Sequence, residues 1–139
     1  MTSPLNDAQI NQLLDHALHG GERAYIPYSH YRVGAALMSA DGTIYEGCNI
    51  ENAAYPATIC AERVALVKAV SEGVRQFTAI AVVTENGGAP CGVCRQMLFE
   101  FGPEMQVILA DARKRIIFNG PLKDLLPLGF GPDFLNVTP

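Results

Sequence analysis

The chain has 139 residues, 49% of them hydrophobic and 17% charged, which excludes a disordered chain and predicts one domain over residues 1–139. A formal net charge of −4 excludes the basic face of a polyanion binder, so no nucleic-acid partner is expected. No apolar run approaches the ~20 residues of a membrane span, and the polar residues 1–7 lack a signal-peptide pattern; no membrane partner and a cytoplasmic address with reduced thiols are expected.

Ile10, Leu13, Leu14, Ala17 and Leu18 recur at helical spacing, and Gly20-Gly21 reads as the stop of that helix. Polar residues fill its other face, so it is expected over the edge of a core. After Pro27, residues 31–39 are mostly apolar and read as a buried strand. Asp41-Gly42 marks a hairpin, with residues 43–49 as the return strand. An irregular stretch, residues 50–59, holds Pro56. From Cys60 the chain turns helical, apolar almost all round to Val70 and ending near Gly73. Such a helix is covered on several sides, by its own sheet and by a neighbouring subunit.

Residues 77–83 form a continuous apolar run and read as a central strand. A glycine-containing loop over residues 85–89 leads to Pro90, and residues 91–101 form a third helix stopped by Gly102-Pro103. Residues 105–109 and 115–118 are two further strands. The intervening residues 110–114 are too few for a parallel crossover, so these last two strands pair antiparallel. Residues 121–126 read as a short closing helix. The expected fold is α/β, a mixed five-stranded sheet with helices on both faces.

Cys91 and Cys94 lie three residues apart at a helix start, which puts both sulfurs on one face of the first turn. Cys60 also opens a helix. Strands feeding two neighbouring helices bring these N-termini to one edge of the sheet, where free N–H groups and the helix dipole stabilise thiolates. Zinc on three thiolates keeps a net negative charge, which two helix ends and a cation from Arg63 or Arg95 offset. Glu62, in the first turn after Cys60, can point beside a metal instead of onto it and move protons there.

Three other readings compete. Cys91-x-x-Cys94 fits a thioredoxin-like redox pair. All four cysteines fit a closed structural zinc site with Cys48 as the fourth ligand. The cysteines can also be unligated core residues, with Glu62 an ordinary first-turn glutamate. A redox pair leaves Cys60 and Glu62 without a role, and catalytic zinc leaves its fourth position to water. One zinc per chain on Cys60, Cys91 and Cys94, with Glu62 as acid/base and Cys48 as packing, is the better fit.

The segments Gly47-Cys48-Asn49-Ile50-Glu51-Asn52-Ala53-Ala54-Tyr55, Cys60-Ala61-Glu62-Arg63 and Pro90-Cys91-Gly92-Val93-Cys94-Arg95-Gln96 resemble motifs of the short, homotetrameric cytidine deaminases. Residues 25–37 and Leu125-Leu126-Pro127 fit too, so the resemblance covers most of the chain. Zinc deaminases share a three-ligand zinc and a nearby glutamate that is not a ligand. The resemblance implies a three-layer α/β/α cytidine deaminase-like fold and zinc on Cys60, Cys91 and Cys94. It implies hydrolytic deamination of cytidine and 2′-deoxycytidine to the uridines plus ammonia, for pyrimidine salvage. A zinc-bound hydroxide would attack C4, with Glu62 protonating N3 and then the departing amine.

By the same resemblance Asn49 and Glu51 bind the ribose hydroxyls, and backbone groups of Ala61 meet the base. Tyr31 stands where the family often has Phe against the ligand. Phe130 has the spacing of an aromatic lent to a neighbouring subunit's site. The implied partner is a small nucleoside, because Glu51 repels a 5′-phosphate. The implied assembly is a homotetramer with sites at subunit interfaces. An aminonucleoside antibiotic deaminase also carries Cys-Ala-Glu and Pro-Cys-x-x-Cys, but the run Asn49-Ile50-Glu51-Asn52 argues against it.

Overall fold

In the computed structural model, which describes residues 4–139, β1 (Val33–Ser39), β2 (Ile44–Cys48), β3 (Phe77–Thr84), β4 (Gln106–Asp111) and β5 (Ile116–Pro121) form one sheet in the order β2-β1-β3-β4-β5. Met1, Thr2 and Ser3 of the polar N-terminal stretch lie outside the described residues. The β1–β2 hairpin and the β1–β3 pair are antiparallel, which makes β2 and β3 run the same way. The pair β3–β4 is parallel, whereas β4 and β5, joined by a short turn, pair antiparallel. The continuous apolar run predicted as a central strand is the middle of the sheet.

Three helices cover the two faces. Helix α1 (Asp7–Gly21) starts with a reciprocal cap: Asn6 Oδ1 accepts from Gln9 N–H and Gln9 Oε1 accepts from Asn6 N–H, each at 2.9 Å. Its buried Ile10, Leu13, Leu14 and Ala17 pack on Ala36, Met38, Ala81, Val83 and Ile108. Helix α1 therefore covers the middle of one face rather than an edge, because three strands turn alternate small and branched side chains toward it. Helices α2 (Ala61–Ser71) and α3 (Gly92–Phe99) lie on the other face, with Leu66 and Leu98 buried against Leu37, Ile80 and Val107. Each such leucine contributes about 1.5–3 kcal/mol of burial. The expected closing helix is a 3-10 segment, Leu122–Leu125, and a second 3-10 segment spans Pro132–Leu135. No helix among the described residues is long and apolar enough to cross a membrane.

Gly20 and Gly21 do not stop α1 in a left-handed cap. They are its last two residues, and Glu22 follows in right-handed helical conformation. Their role is closeness: a Cβ on Gly20 would stand 3.0 Å from both Glu46 Cβ and the Gly47 carbonyl oxygen. Gly47 makes the matching approach on the opposite face. A Cβ there would run into the Ala61 carbonyl oxygen and stand 2.7 Å from Ala65 N. The hairpin is thus pressed between α1 and the first turn of α2, and this presses the start of α2 against the sheet. On the outer side of α2, Val67 remains exposed.

Candidate metal centre

Because β2 and β3 run parallel, the chain segments leaving them emerge at the same end of the sheet. Each then opens a helix with a cysteine at the N-cap, Cys60 for α2 and Cys91 for α3. Both N-caps have extended backbone and no side-chain cap hydrogen bond, so both cysteines stand at helix ends whose first-turn N–H groups have no partner in their own helix. Cys94, one turn into α3, is fully buried. The Cys60 and Cys91 sulfurs are 3.8 Å apart and those of Cys91 and Cys94 are 3.4 Å apart. All three lie within 4.8 Å of one another.

That donor set fits zinc. Sulfurs at about 2.3 Å from a tetrahedral ion stand about 3.8 Å from each other, and three ligands leave one position open. Cys48 is no part of the group: it sits half-buried at the end of β2, opposite Gly34. Without a metal, three close thiols cannot all ionise. The Cys94 thiol, and then Arg63, hold Cys60 below the usual thiol range. The same contact with Cys60, together with burial, pushes Cys94 up.

The two arginines go to different places. Arg63 Nη2 reaches Cys60 Sγ at 3.5 Å and the Thr58 carbonyl oxygen at 3.4 Å. Arg95 turns away, donating from Nε to the Pro90 carbonyl at 2.8 Å and from Nη1 to the Leu125 carbonyl at 2.7 Å. It straps α3 to the C-terminal 3-10 segment.

Glu62 is 3% exposed, and its Oε1 has no hydrogen-bond partner among the described residues. Burial pushes its pKa up to about 7. A buried carboxyl with a free oxygen, beside a cluster of sulfurs, is poised to exchange protons with a bound molecule. It opens onto a cavity of about 260 Å³ whose lining includes Tyr31, Asn49, Glu51, Cys60 and Cys91.

Asn49 and Glu51 follow β2 and are nearly fully buried. The Asn49 amide donates to the Tyr31 carbonyl at 2.7 Å and accepts from Val33 N–H at 3.0 Å. Glu51 Oε1 accepts from the N–H groups of Tyr28 and Ser29 at 2.9 and 3.1 Å, and Ser29 Oγ–H donates to Oε2. Burial alone would raise the Glu51 pKa, but these hydrogen bonds outweigh it and hold the carboxyl below its ordinary value. Both side chains are fixed before any ligand arrives.

Tyr31 lines the cavity and donates its hydroxyl to Asn86 Oδ1 at 2.7 Å. Ala61 is fully buried at the start of α2. Phe130 is not brought to the cavity within the chain. It is 55% exposed, stacks on Phe134 at 5.2 Å and is held through its carbonyl by Gln96 Nε2. Ser29, Thr58 and Thr84 also line the cavity. Ordinary hydroxyl residues in loops and at a strand end, they carry no sequence signal that singles them out.

Residues 7–110 match the family described as the cytidine and deoxycytidylate deaminase zinc-binding region. The chain belongs to this deaminase family. The matched span contains the three cysteines, Glu62, Asn49 and Glu51, whereas Phe130 lies beyond it. Within the family, a cytidine deaminase of Sporosarcina psychrophila is 46% identical over 129 residues, covering 91% of this chain and 95% of that protein. The crystal structure of cytidine deaminase from Burkholderia pseudomallei superposes with a TM-score of 0.83 at 44% identity, covering 86% of this chain and 98% of the other. That of Mycobacterium tuberculosis gives 0.78 at 37% identity, covering 91% and 99%.

Proposed function

We propose that the chain is a zinc-dependent hydrolase that converts cytidine and 2′-deoxycytidine to uridine and 2′-deoxyuridine, with release of ammonia. Zinc on Cys60, Cys91 and Cys94 supplies, when bound, the Lewis acidity that makes water a nucleophile near neutral pH. The observation that carries the reading is the buried Glu62 with its unpartnered Oε1, next to the three sulfurs and open to the cavity. Glu62 takes a proton from water and passes it to N3 of the pyrimidine, then takes the proton of the new C4 hydroxyl and gives it to the amine leaving C4. Water adds to C4, the C4–N bond breaks, and ammonia departs.

Asn49 and Glu51 hold the sugar. Asn49 uses one amide hydrogen and one oxygen lone pair on the protein, which leaves one of each for a diol. Glu51 keeps acceptor capacity beyond its three internal hydrogen bonds, and its charge disfavours a 5′-phosphate. The first-turn N–H of Ala61 is a donor with no partner in its own helix, suited to the base. Tyr31 supplies an aromatic wall. Exposed Val67 and Phe130 support a homotetramer in which Phe130 reaches a neighbouring site. The whole chain acts as one catalytic domain in cytoplasmic pyrimidine salvage.

The test is turnover of cytidine, deoxycytidine and cytidine 5′-monophosphate by zinc-loaded protein. The reading expects uridine and equimolar ammonia from both nucleosides and little from the nucleotide. Preference for the nucleotide would contradict the role given to Glu51. Inertness toward all three would contradict the function.

A further inference from the structure

The loop between β3 and α3, residues 85–91, has two tasks. Gly88 and Ala89 form part of the cavity wall, and the loop ends by delivering Cys91 to the sulfur group. Cys94 is buried and Cys60 half-buried, whereas Cys91, at the junction of this loop with α3, is exposed. Its position depends on what holds the loop.

Besides the Arg95 bond to the Pro90 carbonyl beside Cys91, three contacts hold the part of the loop that lines the cavity. Gly88 N–H donates to Thr84 Oγ1 at 2.7 Å, folding the loop back on the strand it leaves. Gly87 has φ 77°, and a Cβ there would collide with Ile117 Cγ1, so the loop lies directly on β5. The third contact comes from the opposite side of the cavity. The Tyr31 hydroxyl donates to Asn86 Oδ1 at 2.7 Å, and a Cβ on Gly88 would stand 2.7 Å from that same hydroxyl.

Tyr31 is itself pinned. Its N–H donates to Ser29 Oγ at 3.0 Å and its carbonyl accepts from Asn49 Nδ2 at 2.7 Å, while Ser29 is bonded to Glu51. One chain of contacts therefore runs from Glu51 through Ser29 and Tyr31 to Asn86 and the loop bearing Cys91. A phenylalanine at position 31 keeps the aromatic wall but has no atom for the last link.

We propose that the Tyr31 hydroxyl and Asn86 form a tether across the cavity that fixes the loop carrying Cys91, which makes Asn86 a positioning residue of the metal centre. The tether rests on the reading of Cys60, Cys91 and Cys94 as a zinc site. It couples the wall beside the sugar-binding pair to the metal side, so both halves of the cavity keep one spacing.

The test follows the rate at which zinc-loaded protein gives up its metal to a chromogenic chelator. Tyr31→Phe and Asn86→Ala are each expected to speed release by about two- to fivefold, the low end for a hydrogen bond open to solvent. The double variant is expected to be no faster than the faster single, because both remove the same contact. Asn86→Asp, which keeps the acceptor, is expected to release zinc at the wild-type rate. Thermal unfolding of the metal-free proteins is expected to fall only by the small amount one solvent-exposed hydrogen bond supports, whereas a merely structural role would leave the zinc-release rate unmoved. Wild-type release by Asn86→Ala, or additive effects in the double variant, would each overturn the tether. A wild type that holds no zinc would sink the metal reading and the tether with it. A zinc-holding wild type with unaltered variants would sink the tether alone.

Discussion

Arg63 Nη2 stands 3.5 Å from Cys60 Sγ, one helical turn from the N-cap that carries the thiol. Arg95, in the equivalent turn of α3, spends its guanidinium on the Pro90 and Leu125 carbonyls. Removing each should therefore do different things. With cobalt in place of zinc, Arg63→Ala is expected to move the thiolate-to-metal absorption band to lower energy, since a sulfur without its N–H donor is the better electron donor. Arg95→Ala should leave the band in place and destabilise the fold by roughly 1–3 kcal/mol, the cost of orphaned carbonyls. A band shift in the Arg95 variant instead would reverse the two roles.

Gly47 links the hairpin to the metal side. Because a Cβ there collides with the first turn of α2, Gly47→Ala is expected to cost about 1–3 kcal/mol by overpacking, read by thermal unfolding. Zinc content should fall too, since the displaced turn follows Cys60. Unchanged stability would mean that α2 is free to retreat and that the hairpin does not set its position.

Much of this centre is legible in the chain because two local rules converge. A three-residue spacing at a helix start leaves two side chains one shared face, and parallel strands open their helices at one end of the sheet. The mostly apolar runs likewise mark the strands, with residues 77–83 at the centre of the sheet. What local pattern cannot supply is direction over distance. Tyr31 and Asn86 are 55 positions apart, and nothing periodic joins a tyrosine before a strand to an asparagine in a loop. Gly20-Gly21 looks like a helix stop because glycine serves both left-handed caps and close approaches; only the neighbouring Glu46 and Gly47 show which applies. The division of labour between Arg63 and Arg95 depends on side-chain paths that their near-identical sequence settings conceal.

Cys48 is the cheap discriminator between an open metal site and a closed one. It lies on β2 opposite Gly34, outside the sulfur group. Cys48→Ser is expected to keep one zinc per chain and wild-type turnover. Loss of zinc from a folded Cys48→Ser protein would favour the four-thiol structural site.

The Glu51 carboxyl provides a pH signature of the sugar side. Its pKa in the folded protein lies below the ordinary value of 4.5, because the Ser29 and Tyr28 donors outweigh burial. A depressed carboxyl stabilises the fold above its unfolded pKa, and that contribution is lost as pH falls through the folded value. Glu51→Gln is therefore expected to unfold at a lower temperature than wild type near pH 7. The gap should begin to narrow once pH falls below the unfolded glutamate value of about 4.3 and close as it passes below the lowered folded one. A gap that stayed constant across that range would show that the carboxyl's charge takes no part in holding the Tyr28-Ser29 turn.

If Glu62 moves protons and does not hold metal, Glu62→Ala separates the two roles. Zinc content, thermal unfolding and cytidine turnover are measured side by side with wild type. A proton-moving Glu62 gives one zinc per chain in both proteins and a variant that is folded but slower by at least about 10²–10⁴-fold. Zinc missing from the folded variant, or turnover within a few-fold of wild type, would contradict it.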